Sequence, residues 1–184
     1  SSNDHEKRIF SSIMLNYEAN QFHRRSVCAA TPFSILHFIP EVYQIGKEDT
    51  VADFFSGYGI STKYLLDQDA DRLTSVEITS IGITIQEIKK KLMDLDDSYQ
   101  IIQEDIFAYS CNHREQKYEF IFADIPWDLR LNDEQQEWKS DLIESSISKM
   151  DGNWNVMSII MFHLKEKGKA LVTVNNGIES SMSS

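Results

Sequence analysis

From Thr50 onward, short apolar runs alternate with segments of helical spacing. Val51 to Phe55 is an apolar run of strand length, and Ile60 to Leu66 after it is helix-like. Leu73 to Ile78 reads as a second strand. Ser80 to Met93 reads as an amphipathic helix with Ile81, Ile85, Ile88 and Leu92 on one apolar stripe. The run Lys89-Lys90-Lys91 near its end reads as a solvated, dipole-compatible helix terminus. Tyr99 to Gln103 is a short third strand. Tyr118 to Asp124 is a fourth, nearly all apolar, as a parallel strand covered on both faces should be. Glu134 to Met150 and Val156 to Leu164 are helical, and a turn at Gly168 leads into a fifth strand, Lys169 to Val174. Regular alternation of strand and helix predicts an α/β domain, with a mostly parallel sheet and helices on both faces.

Ahead of that alternation, Asp4 to Asn20 has helical spacing, with Ile9, Phe10, Ile13, Met14 and Tyr17 on one face. Phe22 to Ala30 is irregular and carries the basic His23-Arg24-Arg25, read as a solvated loop. Thr31-Pro32 looks like a helix start, a hydroxyl cap followed by proline in the first turn. That helix runs through Leu36 and Ile39 until Pro40 disturbs it. The chain therefore divides into a helical segment over 1–46 and an α/β core over 47–184. Only ten residues follow Val174, too few for another helix and two strands, so the core is expected to be cut short or completed elsewhere.

Composition narrows the function. The chain's 184 residues are 41% hydrophobic and 11% aromatic, enough for one ordinary core. No apolar run is long enough to span a bilayer. The two cysteines, Cys28 and Cys111, lie far apart and fit a reducing cytoplasm as plain thiols. The five histidines show no metal-ligand spacing, and no metal is expected. The formal net charge of -11 is awkward for a protein that must hold nucleic acid unaided, because phosphate neutralisation by Lys and Arg supplies much of such binding.

The chemistry-bearing stretch follows the first predicted strand. Gly57-Tyr58-Gly59 stands between strand and helix, where glycines let the backbone bend and a ligand approach without meeting a Cβ atom. About twenty residues on, Glu77 ends the next strand, where such folds grip a ribose. A nucleoside site is the economical reading. A dinucleotide fold would place a third glycine at Thr62, and Asp53 inside the strand would repel a phosphate but suit a cationic or amino-bearing ligand. Further acids end the later strands. Glu104-Asp105-Ile106 follows the third and Asp124-Ile125-Pro126-Trp127 closes the fourth. Ligands of open α/β sheets sit at this edge.

These motifs together resemble the class I S-adenosylmethionine-dependent methyltransferases, and within them the N6-adenine DNA methylases. Asp53-Phe54-Phe55-Ser56-Gly57-Tyr58-Gly59 is similar to the D-x-x-x-G-x-G cofactor loop of that family. Glu77, followed by Ile78, is similar to the acid that holds the ribose hydroxyls, and Asp105, followed by Ile106, to the acid beside the adenine amino group. Asp124-Ile125-Pro126-Trp127 resembles the catalytic [D/N]-P-P-[Y/F/W] motif, with Ile125 in place of the first proline. Thr31-Pro32 resembles the element that covers the methionine moiety when the cofactor half comes first. That order, with Gly168 to Val172 leading to Asn175-Asn176-Gly177, is most similar to the modification subunit of type I restriction–modification systems.

The resemblance covers about Ser26 to Gly177. It implies a Rossmann-like methyltransferase core, S-adenosyl-L-methionine as cofactor, and DNA as partner, engaged through a specificity subunit or a further domain. It also implies roles at the fourth strand. Asp124 and the carbonyl of Ile125 would accept the amine hydrogens of an adenine, and Trp127 would stack on the extruded base. Other planar nitrogens (an RNA base, cytosine N4, a glutamine amide) fit the same geometry. A cofactor-binding module without turnover is a further reading, and a dinucleotide oxidoreductase is disfavoured by Thr62.

Overall fold

The computed structural model describes residues 31–126 apart from 69 and 71, together with 129 and 152–174. The expected helices over Asp4–Asn20 and Glu134–Met150, the basic His23-Arg24-Arg25, Cys28, Trp127 and Asn175-Asn176-Gly177 lie outside those residues.

Among the described residues, five strands form one all-parallel sheet: β1 Thr50–Phe54, β2 Arg72–Glu77, β3 Tyr99–Gln103, β4 Tyr118–Asp124 and β5 Leu164–Thr173. Their spatial order is β3-β2-β1-β4-β5. The chain starts at the centre, winds outward through β2 and β3, then returns to the other side of β1. Between β1 and β4 lies the point where the winding direction reverses, which is where open α/β sheets hold their ligands. Among the described residues the connecting helices are α3 Ile60–Leu66, α4 Ser80–Leu92, α5 Ile106–Asn112 and α6 Gly152–His163. They are preceded by two single turns, α1 Phe33–Leu36 and α2 Ile39–Val42. No described helix is long and apolar enough to cross a membrane.

Strand alternation divides the apolar side chains between two cores. Ala52, Phe54, Ile121 and Ala123 face α5 and α6, packing with Phe107, Tyr109, Val156 and Ile159. Val51, Phe120 and Phe122 face the other way, against Leu36, Ile39, Ile60 and Leu65. This period-2 division is what a parallel strand buried on both faces requires. Thr31 does not cap a helix. Pro32 holds the cap position of α1 without a side-chain hydrogen bond, and Pro40 opens the first turn of α2, where its missing N–H is harmless.

Two expectations change here. Gly168 makes no turn between helix and strand. Tyr118 pairs with Leu164 but Phe120 with Lys169, so β5 bulges over the intervening residues before its regular ladder begins at Lys169. A Cβ at Gly168 would stand 2.8 Å from the carbonyl oxygen of Tyr118, which explains the glycine. The helix α5 has no counterpart among the predicted elements. It starts where the Asp105 carboxylate accepts the N–H of Phe107 at 2.8 Å.

Beneath β1 and β4, the ring of Phe54 meets Tyr109, Tyr118 and His163 edge-on. His163 is fully enclosed. Its Nδ1–H donates to the Gln116 carbonyl at 2.8 Å, and its Nε2 accepts from Ser110 at 3.0 Å. Burial drives the His163 pKa down to about 4, against the opposing pull of the Gln116 bond. Between an unfolded value of 6.5 and that folded value, the unfolded chain takes up a proton that the folded chain refuses, so stability falls as pH drops through this window. Urea denaturation of wild type and His163→Asn should show the stability gap between them narrowing by up to about 3 kcal/mol from pH 7 to pH 4. A constant gap would contradict the buried neutral imidazole. Differencing the two proteins removes the titrating groups they share.

Candidate active site

The register aligns the carboxyl ends of all five strands. Ile102, Val76, Phe54, Ala123 and Val172 form one row across the sheet. Immediately past it come Gln103, Glu77, Phe55, Asp124 and Thr173. The loop Ser56–Gly59, Glu77, Asp105 and Asp124 therefore share one rim, with the glycine loop and Asp124 on either side of the switch point.

The loop turns tightly. Phe55, Gly57 and Gly59 all have positive φ, at 63°, 54° and 75°. For Phe55, a bulky residue, that conformation stores strain of about 1–3 kcal/mol, as backbone at functional sites often does. The Gly59 N–H donates to the Ser56 carbonyl at 2.8 Å and the Ser56 N–H to the Val76 carbonyl at 3.1 Å. Glu77 clamps the loop to β2. One oxygen accepts the Gly57 N–H and the other the Thr79 N–H, both at 2.8 Å. Each oxygen keeps a further lone pair. A Cβ added at Gly57 would meet nothing within 4 Å, so the loop presents open space on that side.

Asp53 does not face this opening. It is fully buried, and one oxygen accepts from Ser61 at 2.7 Å and from Thr62 at 2.5 Å. Thr62 therefore stands where a dinucleotide fold has glycine because its hydroxyl serves Asp53. Burial raises the Asp53 pKa to about 7; the two hydroxyls oppose this, and the nearby charges of Asp124 and Glu77 add to it. Glu77 and Asp124 thus both lie near enough to act on Asp53, and carboxylates gathered at one end of the sheet repel phosphate and favour a cation.

At β4, Asp124 is half-buried and both of its oxygens are engaged, one by the hydroxyl of Thr31 and the other by that of Thr173. Thr31 thereby reaches across 93 positions of sequence to the strand end. The Ile125 N–H bonds the Thr173 carbonyl at 3.3 Å, and the Ile125 side chain is buried in the core, leaving only its backbone for the rim. Pro32 and Pro126 are exposed, as is Ile78 at 59% beside Glu77. The side chains of Phe54 and Ile106 point into the core and not at the rim. Ser56 is buried beneath the loop, its Oγ accepting from Gln86 at 2.9 Å.

The sequence reading missed Thr173, Gly82, Gln86 and Lys89. An apolar stripe at the spacing of Ile81, Ile85, Ile88 and Leu92 ordinarily faces a core. In α4 the buried residues are instead Gly82, Gln86 and Lys89, while Ile81 and Ile88 are 59% and 52% exposed. The lysine run is likewise not simply solvated, since Lys89 and Lys90 reach back to the Tyr58 and Tyr99 carbonyls, each at 2.6 Å. Spacing of 82, 86 and 89 on one helical face was the available signal. A Cβ at Gly82 would lie 2.7 Å from the Gly57 carbonyl oxygen and 2.9 Å from the Glu77 and Thr79 side chains. Gly82→Ala should therefore destabilise the fold by about 1–3 kcal/mol by overpacking, despite the better helix propensity of alanine. Equal or greater stability in chemical denaturation would contradict that contact.

The chain matches no protein-family model and no curated protein sequence. Solved structures do match. A protein of Listeria monocytogenes assigned to the class I S-adenosylmethionine-dependent methyltransferases superposes with a TM-score of 0.71 at 15% identity, over 96% of this chain and 55% of its own. A modification subunit assigned to a type I restriction enzyme of Vibrio vulnificus YJ016 gives 0.71 at 14% identity, over 93% and 39%. An assigned rRNA methylase of Clostridium thermocellum gives 0.55 at 16%, over 78% and 68%. The chain thus spans about half or less of the first two. The fold is the Rossmann-like fold of class I methyltransferases.

Proposed function

We propose that this rim binds S-adenosyl-L-methionine and serves methyl transfer to an exocyclic amino nitrogen, with adenine N6 of DNA as the acceptor. The observation that carries the reading is the pairing of an open-faced glycine loop with Asp124 across the switch point of a methyltransferase fold. The open side of Gly57, the surplus lone pairs of Glu77 and the acidic field fit a sulfonium nucleoside with no phosphate.

In this reading Ser56, Gly57 and Gly59 shape the cradle, Glu77 takes the ribose hydroxyls, and Ile78 and Asp105 flank the base. Thr31-Pro32 covers the methionine end, with Asp53, Phe54 and Ile106 supporting from below. The cofactor supplies an electrophilic methyl on sulfonium. Asp124 and the Ile125 carbonyl accept the amine hydrogens, which localises the nitrogen lone pair, and the released proton leaves through Asp124 to solvent. Pro126 stiffens the turn, and Trp127 stacks on the flipped base. Much of the acceleration comes from holding the reactants in line.

The similarity to a modification subunit supports a place in a restriction–modification assembly. The net charge of -11 assigns DNA affinity to a specificity subunit or a further domain. This chain alone should bind duplex DNA more weakly than about micromolar at physiological salt; tighter binding would contradict that assignment. A second reading, a cofactor-binding module without turnover, is favoured by Ile125, which replaces a proline and leaves the turn less rigid.

Transfer of a labelled methyl group tests both. Label in unmethylated DNA, appearing as N6-methyladenine, supports the first reading. Label in RNA or in a protein amide moves the acceptor. Cofactor binding without label anywhere supports the second.

A further inference from the structure

The helix α4 meets the glycine loop through polar side chains, an arrangement that an ordinary packing helix does not need. Gly82, Gln86 and Lys89 lie one helical turn apart on a single face, and all three are buried. At Gly82 the missing side chain lets the helix approach the Gly57 carbonyl. Gln86 is 1% exposed, and its Nε2 donates to that same carbonyl at 2.8 Å and to the Ser56 hydroxyl at 2.9 Å. Its Oε1 accepts from the Tyr99 hydroxyl at 2.7 Å, which anchors the amide to β3 and turns its N–H groups toward the loop. A carbonyl can only accept, so the amide orientation follows from its partners. Lys89, 8% exposed, donates to the next carbonyl, that of Tyr58, at 2.6 Å.

Two consecutive loop carbonyls are therefore held from behind by helix side chains, while Glu77 holds the Gly57 N–H. A loop containing two glycines and a left-handed Phe55 has several accessible shapes, and these bonds select one. The side of Gly57 away from any Cβ contact stays open for a ligand. Burying a lysine and a glutamine is costly unless each is hydrogen-bonded, so their presence on this face calls for a role.

We propose that Gln86 and Lys89 are positioning residues that preorganise the glycine loop for the cofactor, an inference that rests on the cofactor reading above. They touch neither cofactor nor acceptor and act through the Gly57 and Tyr58 carbonyls.

The test uses Gln86→Met and Lys89→Met, which keep the side-chain bulk, and Lys90→Met as control, since Lys90 reaches the Tyr99 carbonyl and not the loop. S-adenosylmethionine affinity by calorimetry should fall about ten-fold in each of the first two, the worth of one to two hydrogen bonds, and stay at the wild-type value in the control. The acceptor KM should not move in any of them. Amide exchange in the ligand-free protein should quicken over residues 55–59 and stay unchanged at Ile121 and Phe122 in β4, where general unfolding would show. Wild-type affinity together with wild-type exchange in both variants would overturn the proposal. Failure of the wild type to bind overturns the cofactor reading instead, and the exchange comparison still decides whether the two side chains hold the loop.

Discussion

Asp124→Ala should lower the rate of methyl transfer by about 100-fold or more, the usual worth of a positioned proton acceptor, while leaving S-adenosylmethionine affinity within a few-fold of wild type. Asp124 ends β4 on one side of the switch point, whereas the glycine loop follows β1 and Glu77 ends β2. Removing it also leaves the hydroxyls of Thr31 and Thr173 without their shared acceptor. Thr31 is buried, so losing its acceptor should also lower stability by about 1–3 kcal/mol. Asp124→Asn should lose less than Asp124→Ala, since the amide oxygen still accepts and a threonine hydroxyl can turn to accept from the new N–H₂. A single-turnover assay at saturating cofactor separates these effects from binding. Full activity in Asp124→Ala would remove this residue from the chemistry.

Gly57→Asp should act on the opposite quantity, weakening cofactor binding by about 10- to 100-fold, the effect of filling space that a ligand must occupy. The variant should fold, because an added Cβ there meets no atom within 4 Å, and Asp tolerates the left-handed backbone at φ 54° better than most residues. Gly59→Asp is the informative contrast. Its Cβ would lie 2.9 Å from Gln86 Cγ, so it should damage the loop itself and lower the melting temperature. Calorimetry alongside thermal denaturation distinguishes the two. Unchanged affinity in Gly57→Asp would mean that the open side of the loop holds no cofactor.

Much of the frame was readable in the sequence because its signals are local. Val51–Phe55 and Tyr118–Asp124 announce buried strands by apolar runs, and their alternation with helices fixes a parallel sheet. The same alternation brings Glu77, Asp105 and Asp124 to one edge without any further information. Harder to see were features that exist only once the chain is folded. The stripe of isoleucines in α4 obeys helical period, yet Gln86 and Lys89 are buried because loop carbonyls thirty residues away await their donors. Thr173 meets Asp124 through strand register, and Thr62 stands in a glycine's place because Asp53 lies beneath it. The seven-residue α5 is too short for periodicity to declare; its one local sign was the capping Asp105.

An amide-resolved NMR titration of the labelled chain with S-adenosylmethionine reveals whether the carboxyl edge of this sheet holds that compound. Saturable shifts should gather at Gly57, Gly59, Ile78 and Ile106. No shifts, or shifts gathered at Val51, Leu73 and Glu119 near the opposite ends of the same strands, would contradict it.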